Sequence, residues 1–554
     1  MCGILVGIAK KQKLDYRLFV DSLRKTATRG PDYTFYYYNN SLFLGVNVLS
    51  ITGDSTPRTH QNNVGALAYN GEIYNYNMHD YPTDTVFLLD ELSKKDPTSV
   101  IKSLNGMFGL AFYNKKTNQI IFARDVFGEK TLYVYEDDNQ IIVSSTICGI
   151  EAVIGKLEID TELLYSYFFT RHFLTYNKTV YKKVRQILPG TIETYDINGR
   201  HNKTITFDNI TKYIDNDVIN KRESCSVEEL AEELDVILSE TVRCMIPDKH
   251  VCVSFSGGVD SSLIAYYTSQ HTDRYTLVGT NCIGKDTISS RLDVFQPYFK
   301  NKIITLDIDC DFWCEKSKHV YNIILQPAGS HNFCTKLILA EFLKQKKIKV
   351  MLGGEGADEL FGGYNFYTDM SSKSDVNVSP YSGKLLSDIV FLKQNTKFNC
   401  DILDKTWCLS RKLSTDAVTA TSLADTLLVV NDDGVRNTDQ IAGWLGIEGR
   451  SPFLHRDIVK FALNLPSKYK RGKPLLKMLY KQKFNNTPLY EKQGFAGFPN
   501  ETLSYYKMSL DNLRIFDILG IKKTDEYKRD TVWKLLNLEF FYESYNSRNI
   551  LNIT

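Results

Sequence analysis

The chain lacks several things, and each absence narrows what it can be. It contains no apolar run near the roughly 18 residues that a membrane-crossing helix needs. It has no excess of either charge: 67 Lys and Arg stand against 65 Asp and Glu, a net charge of +2. That balance offers no electrostatic basis for nucleic acid or an anionic membrane as the main partner. The start, Met1-Cys2-Gly3-Ile4-Leu5, carries neither the basic segment nor the small-residue cleavage pattern of a secretory signal, so a cytoplasmic setting is expected. The eleven cysteines include no CxxC pair. Cys310 and Cys314 lie closest but have no matching second pair, so a zinc site is not expected. Most cysteines read as reduced, buried small side chains. Prolines number only 14, while Tyr (34) and Phe (30) are abundant.

What is present is an ordinary globular composition, 43% hydrophobic and 24% charged, which excludes a disordered or collagen-like chain. Single cores stop growing near roughly 250–300 residues, so a chain of 554 residues predicts more than one domain. The first third alternates short apolar runs with turn residues. Strands are expected at 4–8, 42–46, 64–69, 107–113, 120–123, 132–135 and 141–144, and a helix at 84–92. Regular strands with few helices predict antiparallel layers with helices packed outside. A polar stretch over 191–224 then reads as a linker. After it the rhythm changes. Ser226 with Glu229 forms a capping-box pattern, and Val227, Leu230, Leu234, Ile237 and Leu238 give a helical stripe. Strands at 251–255 and 349–352 alternate with helices from about Ser261 and over 335–345, which predicts a parallel α/β sheet; the part beyond about Leu385 reads as helical. The expected division is 2–190, a linker over 191–224, and 225–554.

Three motifs carry chemistry. The first is Ser256-Gly257-Gly258-Val259-Asp260-Ser261-Ser262, between a buried strand and a helix. Its glycines let the backbone approach a ligand, and the helix start offers free N–H groups to phosphate. It lacks the lysine of a GxxxxGK[ST] loop, which suits gripping pyrophosphate as a leaving group, with Asp260 free to hold Mg²⁺. The second is Gly353-Gly354-Glu355-Gly356-Ala357-Asp358-Glu359-Leu360-Phe361-Gly362-Gly363-Tyr364, again after a strand. In a parallel sheet both loops belong beyond the carboxyl ends of the strands, facing one site. Carboxylates this close repel unless a cation is present, which favours metal-assisted phosphate chemistry. The third is Cys2. If Met1 is removed, its thiol lies beside its own α-amine, a local base.

The first motif resembles the PP-loop of ATP pyrophosphatases, which adenylate a carboxylate or carbonyl. Cys2, Arg29-Gly30-Pro31-Asp32, Asn70-Gly71-Glu72-Ile73-Tyr74-Asn75 and Arg124-Asp125 before Gly128 together resemble a class II, N-terminal-nucleophile glutamine amidotransferase domain. In this order, over roughly residues 2 to 500, the chain resembles the glutamine-hydrolysing asparagine synthetase family. Asp439, Ile447-Glu448-Gly449-Arg450-Ser451-Pro452-Phe453-Leu454, Lys473-Pro474-Leu475-Leu476-Lys477 and Lys492-Gln493-Gly494-Phe495 extend the match. The resemblance implies an N-terminal α+β β-sandwich and a C-terminal α/β PP-loop domain with a helical end.

By the same resemblance Cys2 attacks the glutamine amide, with Asn70 and Gly71 as the oxyanion hole. Leu49, Ser50, Ile51, Glu72 and Asp84 bind glutamine, Glu72 and Asp84 holding its α-amino group. Ser254, Phe255, Ser256, Gly257, Gly258, Asp260, Ser261, Ser262, Val278, Gly353 and Gly354 line ATP, and Asp260 and Asp358 hold Mg²⁺. Glu355 serves β-aspartyl-AMP formation and ammonia deprotonation, and Lys473 offsets transition-state charge. The implied partners are aspartate, glutamine or ammonia, and ATP, with a homodimer left open. The chain departs from the family pattern at Val46, at Val48 in place of an arginine that binds the glutamine carboxylate, at Thr146, at Gly353 in place of serine, and at His455 in place of aspartate. Val48 predicts poor glutamine use, unless a basic residue such as Arg29 or Arg58 compensates. The competing readings are an ammonia-dependent or β-lactam synthetase-like ligase and a catalytically dead regulatory homologue.

Overall fold

The structure is a computed structural model. It describes every residue except 54–56, 77–79, 171–176, 285–287, 329–331, 365–366, 368–408, 411, 415–416, 486, 491–497, 521–522, 524–528 and 549–554. The matched stretch Lys492-Gln493-Gly494-Phe495 therefore lies outside the described residues.

The N-terminal strands are β1 (Gly3–Ala9), β2 (Tyr33–Asn39), β3 (Leu42–Val48), β4 (Gly65–Ile73), β5 (Gly106–Asn114), β6 (Gln119–Arg124), β7 (Tyr133–Glu136), β8 (Gln140–Ser144), β9 (Val184–Gln186), β10 (Thr191–Asp196) and β11 (His201–Thr206). They form two sheets, β2-β3-β1-β8-β7-β9 and β11-β10-β6-β5-β4, antiparallel throughout. The period of two explains the layering. Ile4, Val6, Leu44 and Val46 of the first sheet meet Ala66, Ala68, Ala111 and Phe122 of the second. The alternate residues Leu67, Tyr69, Leu110 and Phe112 pack beneath the helices Asp84–Lys94 and Pro97–Ser103. Both faces are buried, so these strands read as near-continuous apolar runs and were legible.

Two strands fall in the stretch expected to be linker, and there the structure corrects the reading. β10 pairs with β6 and buries Ile192 and Tyr195, while β11 is an exposed edge whose polar residues show no alternation. The polar composition of that edge hid both strands. β2 was also unanticipated, because its run of aromatics has no clean period.

The second domain carries β12 (Val251–Ser254), β13 (Tyr275–Cys282), β14 (Ile303–Ile308), β15 (Val350–Leu352) and β16 (Glu448–Arg450). They form one parallel sheet in the order β14-β13-β12-β15-β16. The chain winds outward on one side from β12 and returns to add β15 on the other. Strand order thus reverses between β12 and β15, and the loops after these two strands open onto one crevice. The helix Val227–Met245 starts with the full capping box of Ser226 and Glu229 and buries Leu230, Leu234 and Leu238. Thr426–Val435 is π-helical and runs into the helix Arg436–Trp444. No helix among the described residues is long and apolar enough to cross a membrane.

The two domains share a core. Met1, Leu49, Ile51 and Phe127 of the first join Leu234, Val253, Phe361 and Phe453 of the second in one apolar cluster.

Candidate functional site

At the N-terminal end of β1, the backbone N–H of Cys2 donates to Asn70 Oδ1 at 2.8 Å. Asn70 is fully buried, and its Nδ2 has no hydrogen-bond partner among the described residues. A buried amide donor left open next to a thiol is what an oxyanion would occupy. Gly71 follows with φ 154°, and a Cβ there would lie 2.0 Å from the Met107 carbonyl oxygen, so only glycine fits. Burial pushes the Cys2 thiol up, and the nearby terminal amine pulls it down. The amine and a backbone hydrogen bond at Leu49 thus favour the thiolate that burial disfavours.

Glu72 and Asp84 are both buried close by. Asp84 begins the helix Asp84–Lys94 and accepts from the Tyr69 hydroxyl at 2.8 Å and the Ile73 N–H at 3.3 Å. Burial pushes it up to about 6. Glu72 accepts from the Thr52 hydroxyl at 3.0 Å and from Arg450 Nη2 at 2.7 Å. Burial pushes Glu72 up to about 8, against the pull of Arg450 and with the repulsion of Asp84. Two acids held this way can trade charge for a bound cation. Leu49 and Ile51 are buried in the shared core. Ser50 donates its N–H to Asp32 at 2.6 Å, and its carbonyl accepts from Lys349 at 3.2 Å and Lys249 at 3.4 Å.

In the crevice of the second domain, Gly257 has φ 69° and Gly258 starts the helix Val259–His271 without a side-chain cap. No side chain at Gly258 caps the first N–H groups of that helix, an arrangement that suits an anion. The Ser256 and Ser261 hydroxyls lie 3.1 Å apart, and Ser262 is fully buried. Ser254 pairs with Val278 across β12 and β13, and the Phe255 N–H donates to the Val278 carbonyl at 2.8 Å. A Cβ on Gly354 would lie 3.4 Å from Asp260 Cβ, so the loops after β12 and β15 meet.

Lys473 closes the crevice. Its ammonium lies 2.5 Å from Asp260 Oδ2 and 2.6 Å from Asp358 Oδ1. Burial alone would lower it, but the two carboxylates outweigh that and raise it above the ordinary lysine value. Lys473 has φ 60°, a strained position for a residue with a side chain. The basic run 468–471 made a solvated lysine the simpler reading, yet Lys473 is only 6% exposed. Gly363 makes the approach feasible: a Cβ there would sit 2.0 Å from Asp358 Oδ1 and 2.2 Å from Lys473 Cε. Glu355 faces the same space but pairs with Lys336 at 3.1 Å, a residue that the sequence reading missed. A single lysine in a helix carries no signal of its own.

The two sites meet along a buried polar seam. Arg29 donates to the Cys2 carbonyl at 3.2 Å and forms an ion pair with Asp439 at 3.1 Å. Thr131 donates to the other Asp439 oxygen at 2.7 Å. Arg450 spans the seam, from Glu72 to Glu448 at 2.9 Å. Burial works against its charge, and Glu72 and Glu448 hold its pKa above the ordinary arginine value. Arg124 and Asp125 are structural in this geometry. Arg124 donates to the carbonyls of Gly128, Lys130 and Ile187, while Asp125 accepts from the N–H groups of Phe127, Glu129 and Lys130. They shape the turn that presents Lys130 and Thr131 to the second domain.

The departures also find their places. Thr146 caps the helix Ile147–Ile154 by accepting from the Gly149 N–H at 3.0 Å. His455 caps the helix Arg456–Leu463 in a role an aspartate would fill. A Cβ on Gly353 would lie 2.1 Å from Glu355 Oε2. Val46 and Val48 lie in the sandwich core, with Cys2 packed against it. Arg29 is committed to Asp439 and Cys2, so it does not replace an arginine at position 48.

Comparison with known proteins gives the same two parts. The glutamine amidotransferase domain family matches residues 1–205, and the asparagine synthase family matches residues 233–488. A putative glutamine-hydrolysing asparagine synthetase 2 of Methanocaldococcus jannaschii is 28% identical over 66% of this chain and 76% of its own length. Asparagine synthetase 1 of Bacillus subtilis is 26% identical over 67% of this chain and 60% of its own length. Asparagine synthetase 3 of the same organism is 23% identical over 89% of this chain and 86% of its own length.

Proposed function

Because the chain belongs to the family that joins a glutamine amidotransferase domain to an asparagine synthase domain, the glutamine-hydrolysing asparagine synthetases, we propose that it makes asparagine from aspartate at the expense of ATP, as a cytoplasmic carbon–nitrogen ligase. The observation that carries this reading is the crevice between β12 and β15. There Asp260 and Asp358 converge on the Lys473 ammonium, with Glu355 beside them and an uncapped helix start facing in.

The proposed reaction uses this arrangement. The 256–262 loop grips the phosphates of ATP with backbone N–H groups and serine hydroxyls. The aspartate β-carboxylate attacks the α-phosphorus, and pyrophosphate leaves. Ammonia then attacks the β-aspartyl-AMP carbonyl, Glu355 takes a proton, and AMP departs. Lys473 offsets the charge that builds at phosphorus. Asp260 and Asp358, two hard oxygen donors already converging on one cation, would hold a magnesium ion carried with ATP, and such an ion would supply positive charge against the phosphates.

In the first domain, removal of Met1 leaves the Cys2 thiol beside its own α-amine. The thiolate attacks the glutamine amide, Asn70 Nδ2 and the Gly71 N–H receive the oxyanion, and the adduct collapses by expelling ammonia, its nitrogen protonated by the α-amine. Water then hydrolyses the γ-glutamyl thioester to glutamate and frees Cys2, while Glu72 and Asp84 hold the glutamine ammonium. Its carboxylate meets Val48 where the family supplies arginine. A hydrogen bond between charged groups contributes about 1.5–3 kcal/mol, so its loss weakens glutamine binding by about ten- to hundred-fold. The domain division that goes with this proposal keeps 2–190 as amidotransferase and 225–554 as synthetase, with β10 and β11 of the connector packed on the first.

The test compares asparagine formed from ammonium chloride and from glutamine at saturating MgATP and aspartate. Full synthesis with ammonium and a high glutamine KM are expected. A micromolar glutamine KM would show that another group anchors the carboxylate, and no asparagine from either donor would end the proposal.

A further inference from the structure

Lys336 lies on the helix Asn332–Gln345, and its ammonium is held in three directions. It sits 3.1 Å from Glu355 Oε1, 2.9 Å from the Gly434 carbonyl and 2.5 Å from the Thr438 hydroxyl. The Thr438 oxygen is itself 2.9 Å from the Gly434 carbonyl and 3.3 Å from Glu355 Oε1. Gly434 is the last residue but one of the π-helical segment Thr426–Val435, and a Cβ there would lie 3.8 Å from Glu355 Cγ. Such segments recur at functional sites, because the wider turn re-aims backbone carbonyls. Here one such carbonyl accepts from Lys336. The lysine is 15% exposed and Glu355 19% exposed, so both are mostly buried yet keep a solvent-accessible face.

The crevice is therefore divided into two charge-matched halves. Lys473 balances Asp260 and Asp358 on the phosphate side. Lys336 balances Glu355 against the helix Asn332–Gln345 and the Gly434 carbonyl. An acceptor acid must bring its carboxylates into that second half, where Glu355 is itself an anion. Two carboxylates side by side in a half-buried site repel, unless a cation is shared between them. We propose that Lys336 is the acceptor-side anchor: it fixes Glu355 in place and shields its charge, and an acidic amino-acid acceptor binds its ammonium by displacing the Thr438 hydroxyl. The inference rests on the adenylation reading above. It assigns acceptor recognition to a residue outside the motifs that mark the site. Lys336 is thus a positioning residue for Glu355 and a specificity-determining residue for the acceptor.

The test uses the full chain and measures pyrophosphate release, first varying aspartate at saturating MgATP and then varying MgATP at saturating aspartate. Lys336→Met is expected to raise the aspartate KM by about ten-fold or more, the loss expected for one charged hydrogen bond. The ATP KM should stay near the wild-type value. Lys336→Gln, which has a polar end but no charge, should behave like Lys336→Met, while Lys336→Arg should restore most of the aspartate affinity. A merely structural role would move both constants and the melting temperature together, and would not be rescued by arginine. An unchanged aspartate KM in Lys336→Gln, or equal behaviour of the arginine and methionine variants, overturns the inference while leaving the adenylation reading intact. Absence of aspartate-dependent pyrophosphate release in the wild type removes both.

Discussion

Arg450→Met removes the side chain that holds two buried acids across the domain seam. In the structure its guanidinium donates to Glu72 at 2.7 Å, to Glu448 at 2.9 Å and to the Met245 carbonyl at 2.8 Å. Arg450 and Glu448 are each only 2% exposed. Methionine fills a similar volume, so the cost is electrostatic rather than a cavity. Removing one partner of a buried ion pair costs about 3–5 kcal/mol. The two acids can recover part of this by taking up protons. Burial already pushes Glu72 up to about 8 from an ordinary 4.5, and loss of the guanidinium pushes it further. A carboxyl with a raised folded-state pKa favours the folded state at low pH, and that advantage fades as pH rises through the raised value. The deficit should therefore be largest near pH 9 and smaller near pH 6. At about 2–4 °C per kcal/mol for a domain of this size, the melting transition should fall by about 6–20 °C at pH 9. Differential scanning calorimetry of the full chain at both pH values reads this directly. The Gly353 N–H to Arg450 carbonyl bond is backbone and survives. Ammonium-driven synthesis should persist while glutamine-driven synthesis falls. Equal shifts at pH 6 and pH 9, or almost no shift at pH 9, would refute the reasoning.

Gly363→Ala forces a Cβ between Asp358 and Lys473. Misplacing one charged group costs about a hundred-fold, so single-turnover pyrophosphate release should fall on that order with the fold retained, and a near-normal rate would contradict the assignment. Asp260→Asn removes one hard oxygen ligand, so its magnesium titration of pyrophosphate release should move to higher concentration; superimposable titrations would exclude the role. Cys2→Ala should abolish asparagine formation from glutamine and spare it from ammonium, and equal loss with both donors would mean that Cys2 serves the fold.

The motifs were legible because each is local. A strand, a glycine-rich turn and a helix start are contiguous in sequence, and so the 256–262 and 353–364 loops can be placed beyond the carboxyl ends of one parallel sheet from the sequence alone. The buried strands β12 and β15 beside those loops were legible for the same reason, whereas β10, β13, β14 and β16 were not anticipated. β11 was not, since an edge strand with both faces polar has no period to detect. The seam was legible only as fragments. Arg29 and Asp439 are 410 residues apart, and nothing near either one announces the other. Arg450 stood out as part of a matched motif, but its grip on Glu72 depends on how the domains meet. Lys336 and the π-helical carbonyl of Gly434 were invisible, because their relation to Glu355 exists only in three dimensions. Lys473 marks the opposite case: resemblance overruled a local context of basic residues, and its burial against Asp260 and Asp358 now supplies the physical reason.

The central claim is that the crevice between β12 and β15 adenylates aspartate. The most direct measurement is the product analysis of MgATP incubated with the wild-type chain and aspartate, set beside Glu355→Gln. The account expects AMP and pyrophosphate, formed only when aspartate is present, with ATP binding retained but pyrophosphate release lost in the variant. ADP and phosphate as products, pyrophosphate without aspartate, or near-normal release by Glu355→Gln would contradict it.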